Sequence, residues 1–250
     1  MNLSKREIIS RFRGSVLGFS WSVLIPLLTL CIYTFVFTVV FKARWSIETP
    51  SRFEFALNLF IGLTVFNYFA ETVSRSPTLL AENIVYIKKI VFPVETLCWV
   101  PIVVGLFNLL ICSSITVIGY IFLLGTSSWS LLLLLPALLP FILFLAGTIY
   151  FIAPLGLLFP DLRQVIPPLL TIFMFSSPVF YPSSALPPRL RLFVELSPLS
   201  ITINNFRGAI TGGVFQGPLE YFTFAMIMLA YAWMGFAVFT YLKRGFADVA

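Results

Sequence analysis

The chain has 250 residues and a formal net charge of +6; 59% of its residues are hydrophobic and only 10% are charged. Soluble domains carry about 25% charged residues, so this composition excludes an ordinary soluble globular protein and defines a polytopic membrane protein. There is no histidine, which removes the commonest metal ligand and general base, and the three cysteines, Cys31, Cys98 and Cys112, lie in or beside apolar runs and read as buried thiols with no disulfide framework.

The N-terminal stretch SKREIISRFRGSVLGFSWSVLIP reads as a short basic amphipathic helix leading into a membrane span. Ser4 and Glu7 have the S-x-x-E spacing of a capping box, and Leu3 and Ile8 have the spacing of a hydrophobic staple. Ile8, Ile9, Phe12 and Val16 fall on one helical face, with Arg6, Arg11 and Arg13 away from it. Such a helix lies in the headgroup layer, and its basic residues mark the cytoplasmic side. A solvated, weakly helical terminus is the alternative. The first apolar run is too long for a signal peptide and has no cleavage site behind it.

Six spans are expected, over 21–41, 55–73, 97–124, 131–159, 165–181 and 221–242. Glu71 and Arg75, four apart at the end of the second, have the order of a helix-surface ion pair. Pro136, Pro140 and Pro154 should kink or break the fourth. With both termini inside, ten Lys and Arg fall on the inner side and six on the outer, which sets the orientation as N-in, C-in. The segment 182–218 is too polar to span and too apolar for a free linker. It divides at Ser197-Pro198, an N-cap followed by Pro at the first helical position. Two short re-entrant half-helices fit it, with a surface loop bearing interfacial helices as the alternative.

The catalytic inventory is poor. No phosphate-loop, H-E-x-x-H, G-x-S-x-G or C-x-x-C pattern is present, and Glu71, Glu95 and Asp161 are scattered. Aromatic side chains are plentiful, with 28 Phe. Tyr33, Phe37 and Phe41 recur every four residues on the first span, and Phe173, Ser177, Phe180 and Tyr181 form a mixed face on the fifth. Aromatic faces stack on sugar rings and let them slide; plain core or lipid-facing packing is the rival account.

The ordered set RFRGSVLGFSWSVLIPLL, ENIVYIKKIVFP, PDLRQ, SPVFYP, NNFRG and FADV resembles the permease subunits of type-2 ABC exporters of polysaccharides, the O-antigen, teichoic acid and capsule exporters. The KKIVFP connector is most similar to the O-antigen and teichoic acid branch. Ile25, Pro160 and Ser197 stand where that family often has Asn, Arg and Asn, departures that bear on the polymer more than on the fold.

The resemblance implies an all-α fold in a single permease domain over 1–250, with an interfacial helix at 4–13 (Ser4, Glu7, Arg11, Phe12), a cytoplasmic coupling segment at 80–93 and an outer re-entrant gate at 183–218. It implies a homodimer in the bacterial inner membrane, paired with two copies of a separate ATPase that carries ATP and Mg, so that this chain needs no cofactor and no metal. Its substrate would be a lipid-linked polysaccharide moved outward, with membrane lipids but no nucleic acid as further partners. Glu82, Ile84, Tyr86, Ile87, Lys88 and Lys89 would contact the ATPase. Tyr33, Phe37, Phe41, Phe173, Ser177, Phe180 and Tyr181 would line the channel, and Phe193, Pro198, Phe206 and Arg207 would form the outer gate. A membrane-embedded lipid or sugar transferase and a regulatory membrane subunit are the competing classes.

Overall fold

The computed structural model describes residues 2–12, 15–40, 52–84, 93–124, 129–213, 215–243 and 246. Among them the protein is all-helical, without strands. Phe41, Tyr86, Ile87, Lys88 and Lys89 lie outside the described residues, as do the side chains of Arg11 and Phe12. In chain order the helices are α1 (Asn2–Phe12), α2 (Trp21–Thr34), α3 (Arg52–Arg75), α4 (Leu79–Glu82), α5 (Trp99–Leu124), α6 (Leu134–Leu158), α7 (Leu162–Ser176), α8 (Pro188–Glu195), α9 (Pro198–Thr211) and α10 (Pro218–Lys243). A π-helical turn, Phe35–Val40, continues α2.

Among the described residues, five helical segments are long and apolar enough to cross a membrane: Gly18–Phe37, Phe53–Arg75, Val94–Phe122, Ser130–Leu158 and Pro218–Lys243. They match five of the six expected spans. The sixth expectation, 165–181, is realised differently. Its helix, α7, has 15 residues, about 22 Å at 1.5 Å per residue, short of a hydrocarbon core of about 30 Å. Pro178 explains the early stop. A residue before proline is pushed out of the α region, and Ser177 is extended at φ −101°, ψ 154°.

α3 is the centre of the bundle, buried along most of its length from Phe55 to Val73. α5 lies against it where Gly105 admits Tyr68; a Cβ at Gly105 would come within 2.6 Å of that ring. α6 and α10 approach most closely. A Cβ on Gly235 would sit 2.6 Å from the Gly147 carbonyl oxygen, so the two backbones touch at this glycine pair. α6 stays helical through Pro140 and Pro154. Pro140 has no N–H for the Pro136 carbonyl, and the Tyr221 hydroxyl of α10 donates to that carbonyl instead, at 3.0 Å. The fourth segment is therefore not broken, because a neighbouring helix satisfies the freed acceptor.

Much of the aromatic content is packing within the chain. Phe69 of α3 stacks on Phe144 of α6 at 5.9 Å, and Phe144 stacks on Tyr231 of α10 at 5.7 Å. α2 is the outlier, for it has no buried residue and exposes Ile25, Leu28, Ile32 and Phe35.

Candidate functional site

Ion pairs define one end of the bundle. α1 begins at Asn2, so Ser4 lies within the first turns, 8% exposed, and does not cap the helix. Glu7 reaches across to form an ion pair with Arg75 at the end of α3. The expected Glu71–Arg75 pair gives way to this contact, and the Glu71 carboxylate accepts a hydrogen bond from Asn108 of α5 at 2.9 Å. Leu3 packs toward the core, whereas Ile9 is 56% exposed and Val16, beyond the helix, is fully exposed. Leu3 and Ser4 thus lie on the side of α1 that meets the bundle. At the same end Lys243 of α10 donates to Glu95 before α5 at 2.7 Å. The start of the chain and the end of its last helix therefore share one face of the bundle.

Two clefts open on this face. One, of about 300 Å³, is polar and lined by Arg6, Glu7, Arg75, Glu82 and Asn83. The other, of about 720 Å³, lies between α1 and the start of α5 and is largely apolar, with Ile8, Ile9, Trp99 and Val103 on its walls. Glu82 is exposed at the end of α4 and Ile84 is half-buried just beyond it.

The opposite end carries α8 and α9. Ser130 before α6 donates to the Ala209 carbonyl of α9 at 2.8 Å. Pro198 opens α9 with Ser197 at the N-cap, although the Ser197 side chain makes no cap hydrogen bond, and Gly212 ends it at φ 70°. α9 is largely buried. Its Arg207, 7% exposed, donates from Nε to the Asn58 carbonyl at 3.1 Å and from Nη2 to the Val179 carbonyl at 3.0 Å. One cation thus ties α9 to α3 and to the chain after α7. Gly62 makes room for it, since a Cβ there would stand 2.8 Å from Arg207 Nη2 and 3.1 Å from Val179 Cα. Phe206, 1% exposed, is a core side chain and not a gate surface, because the helix turns that edge toward the bundle. Phe193 on α8 is 76% exposed.

The channel candidates divide. Phe37 lies 6.2 Å from Tyr33, 5.6 Å from Phe55 and 6.3 Å from Phe180, stacked on the last. Phe180 also stacks on Phe175 at 5.7 Å, and the Tyr181 hydroxyl donates to the Phe175 carbonyl at 2.8 Å. α2 and the end of α7 are thereby joined by rings within one chain. Phe173 is 45% exposed and meets Phe69 edge-on. Ser177 is buried at 1% exposure and donates to the Phe173 carbonyl at 2.7 Å, so it belongs to the interior and not to a channel wall. Among the described residues no three His, Cys, Asp or Glu side chains gather as a metal centre would require.

Several helices long and apolar enough to cross a membrane, packed in one bundle, define a multi-pass membrane protein. The chain belongs to the ABC-2 type transporter family, whose model matches residues 1–211. It is 24% identical over 255 residues to the O-antigen export system permease protein RfbA of Myxococcus xanthus, covering 99% of this chain and 94% of that one. It is 26% identical over 250 residues to the protein of the same name from Klebsiella pneumoniae, at 99% and 93% coverage. Family membership implies an ATPase partner of the ABC type.

Proposed function

We propose that this chain is the membrane permease of an ATP-driven exporter that carries a lipid-linked polysaccharide of the O-antigen kind from the cytoplasmic to the outer side of the bacterial inner membrane. The observation that carries the reading is the similarity to two O-antigen export permeases along 99% of the chain. Two copies of this chain work with two ATPase chains, which hold ATP and Mg; this chain transports and does not catalyse. Both termini are cytoplasmic, which the Glu7–Arg75 and Lys243–Glu95 pairs on one face support. α7 with its following turn makes a sixth crossing in the dimer. α8 and α9 re-enter from the outer side, a placement favoured by Arg207 meeting Asn58, six residues inside the start of α3.

The segment at 80–93 docks into the ATPase through Glu82, Ile84, Tyr86, Ile87, Lys88 and Lys89, and α1 packs beside it. Tyr33, Phe37, Phe41, Phe173, Phe180 and Tyr181 line the polymer path, and Phe193, Pro198 and Arg207 belong to the gate that closes its outer end. The test is export in cells lacking the gene. Surface polymer should vanish and lipid-linked polymer accumulate inside, and the chain should restore both only with an ATPase subunit that hydrolyses ATP. Surface polymer at full level without this chain overturns the reading.

A further inference from the structure

On the end of the bundle opposite the Glu7–Arg75 pair, α8, α9, the turn before α10 and the start of α10 enclose a cleft of about 490 Å³. Small-ligand sites occupy about 300–1,000 Å³. Its walls carry Arg191, Glu195, Asn204, Phe215, Gln216 and Glu220. Within it the polar groups are arranged by their neighbours. Arg191 Nε meets Glu195 Oε1 at 2.7 Å, and Asn205, only 3% exposed, donates from Nδ2 to Gln216 Oε1 at 2.9 Å. Glu220 Oε2 accepts from the Gly217 N–H at 3.4 Å. The Asn204 amide has no partner among the described residues. Phe215 is half-buried, with its ring 6.3 Å from that of Tyr221.

We infer that this cleft is an exit-side saccharide site, which takes one or two sugar units of the exported polymer as they leave the path. The chemistry selects the ligand class. Side-chain amides and carboxylates present donors and acceptors in planar pairs, matching vicinal hydroxyls. The Phe215 ring offers an apolar face for the C–H side of a pyranose. A phosphate or other anion fits poorly, because two carboxylates outnumber the one guanidinium and Glu195 already engages it. The site is built on α8 and α9, the helices assigned to the outer gate, so occupancy by sugar would hold those helices in the arrangement that the leaving polymer requires. The inference rests on the exporter reading for the side of the membrane it faces and for the presence of a sugar there.

Saturation-transfer NMR on the full chain in lipid nanodiscs tests it. The probe is oligosaccharide freed by mild acid from the source bacterium's own envelope polysaccharide, with inorganic phosphate as competitor. Wild-type protein should transfer saturation to the sugar protons. Asn204→Ala and Gln216→Ala should each cut the signal about fivefold, the worth of one hydrogen bond, and Phe215→Leu should cut it further. All three variants should elute as folded protein, and Ser74→Ala, beside Arg75 at the opposite end of the bundle, should bind as wild type does. Equal signals in wild type and the cleft variants overturn the site, as does no signal in wild type or displacement by phosphate. The exporter reading stands or falls separately, on whether this chain restores surface polymer in cells that lack it.

Discussion

Replacing Gly62 with alanine should loosen, through Arg207, the end of the bundle that carries α8 and α9. The added Cβ would stand 2.8 Å from Arg207 Nη2 and 3.1 Å from the Val179 backbone, closer than ordinary carbon contacts of about 3.5–4.0 Å. Val179 is backbone in a buried turn, 0% exposed, and yields little. Arg207 must move, and its bonds to the Val179 and Asn58 carbonyls stretch or break. A hydrogen bond to a charged group is worth about 1.5–3 kcal/mol, so losing one or both costs roughly 2–5 kcal/mol. Arg207→Met should cost a similar amount by itself. The decisive measurement is a double-mutant cycle read by thermal unfolding of the purified permease. In the Arg207→Met background Gly62→Ala should cost less than half of what it costs in wild type, since the guanidinium it displaces is gone. Additive effects would refute the argument and assign the cost of the alanine to the Val179 backbone alone.

Three further outcomes follow from contacts between helices. Tyr221→Phe should destabilise by about 1–2 kcal/mol in unfolding experiments, because the carbonyl freed by Pro140 loses its donor; an unchanged midpoint would mean that another donor reaches Pro136. Glu7→Arg should lower polymer export, and Glu7→Arg with Arg75→Glu should recover at least half of it, as surface polymer reports; no recovery would detach the pair from function. Single cysteines at Ser74 and Arg189, both exposed, should be labelled by an impermeant maleimide from the cytoplasmic and outer sides respectively. Ser76, 0% exposed, is unsuitable for that test, because a buried thiol is blocked from either side.

What the sequence made legible was the part governed by local pattern. Apolar run length sets five of the crossings, and Ser197-Pro198 followed by the Gly212-Gly213 stop sets α9. The early end of α7 was also written locally, since Pro178 disfavours a helical Ser177, but the apolar character of Phe180 and Tyr181 extends the hydropathy signal past it. The partners of charged groups were not legible. Spacing along α3 pairs Glu71 with Arg75, yet Asn108 and Glu7 arrive from other helices and take them apart. Helical periodicity gives a face without saying what covers it. So Ser177 was grouped with the channel although it is buried. The anchoring of Arg207 had one signal, a cation inside a segment otherwise apolar enough to enter the bilayer, and such a cation needs acceptors nearby.

Phe37 decides between a polymer path and plain packing. It is half-buried and touches Tyr33, Phe55 and Phe180, so truncation to alanine removes ring contacts whichever account holds. Phe→Ala in a core costs about 3–5 kcal/mol, enough to confuse lost folding with lost transport. Leucine and tyrosine separate the two. Leucine keeps most of the apolar volume and should cost under about 1.5 kcal/mol as a packing change, but it offers no ring face. Tyrosine keeps the ring and adds a hydroxyl. If the rings carry sugar units past one another, Phe37→Leu and Phe180→Leu should each reduce export several-fold with protein level, assembly with the ATPase and basal ATP hydrolysis unchanged, and the tyrosine variants should retain most of it. Under the packing account the order reverses: leucine exports normally, and tyrosine suffers where its hydroxyl meets apolar neighbours. Normal export by both leucine variants would remove Phe37 and Phe180 from the path and leave them as the joint between α2 and the end of α7.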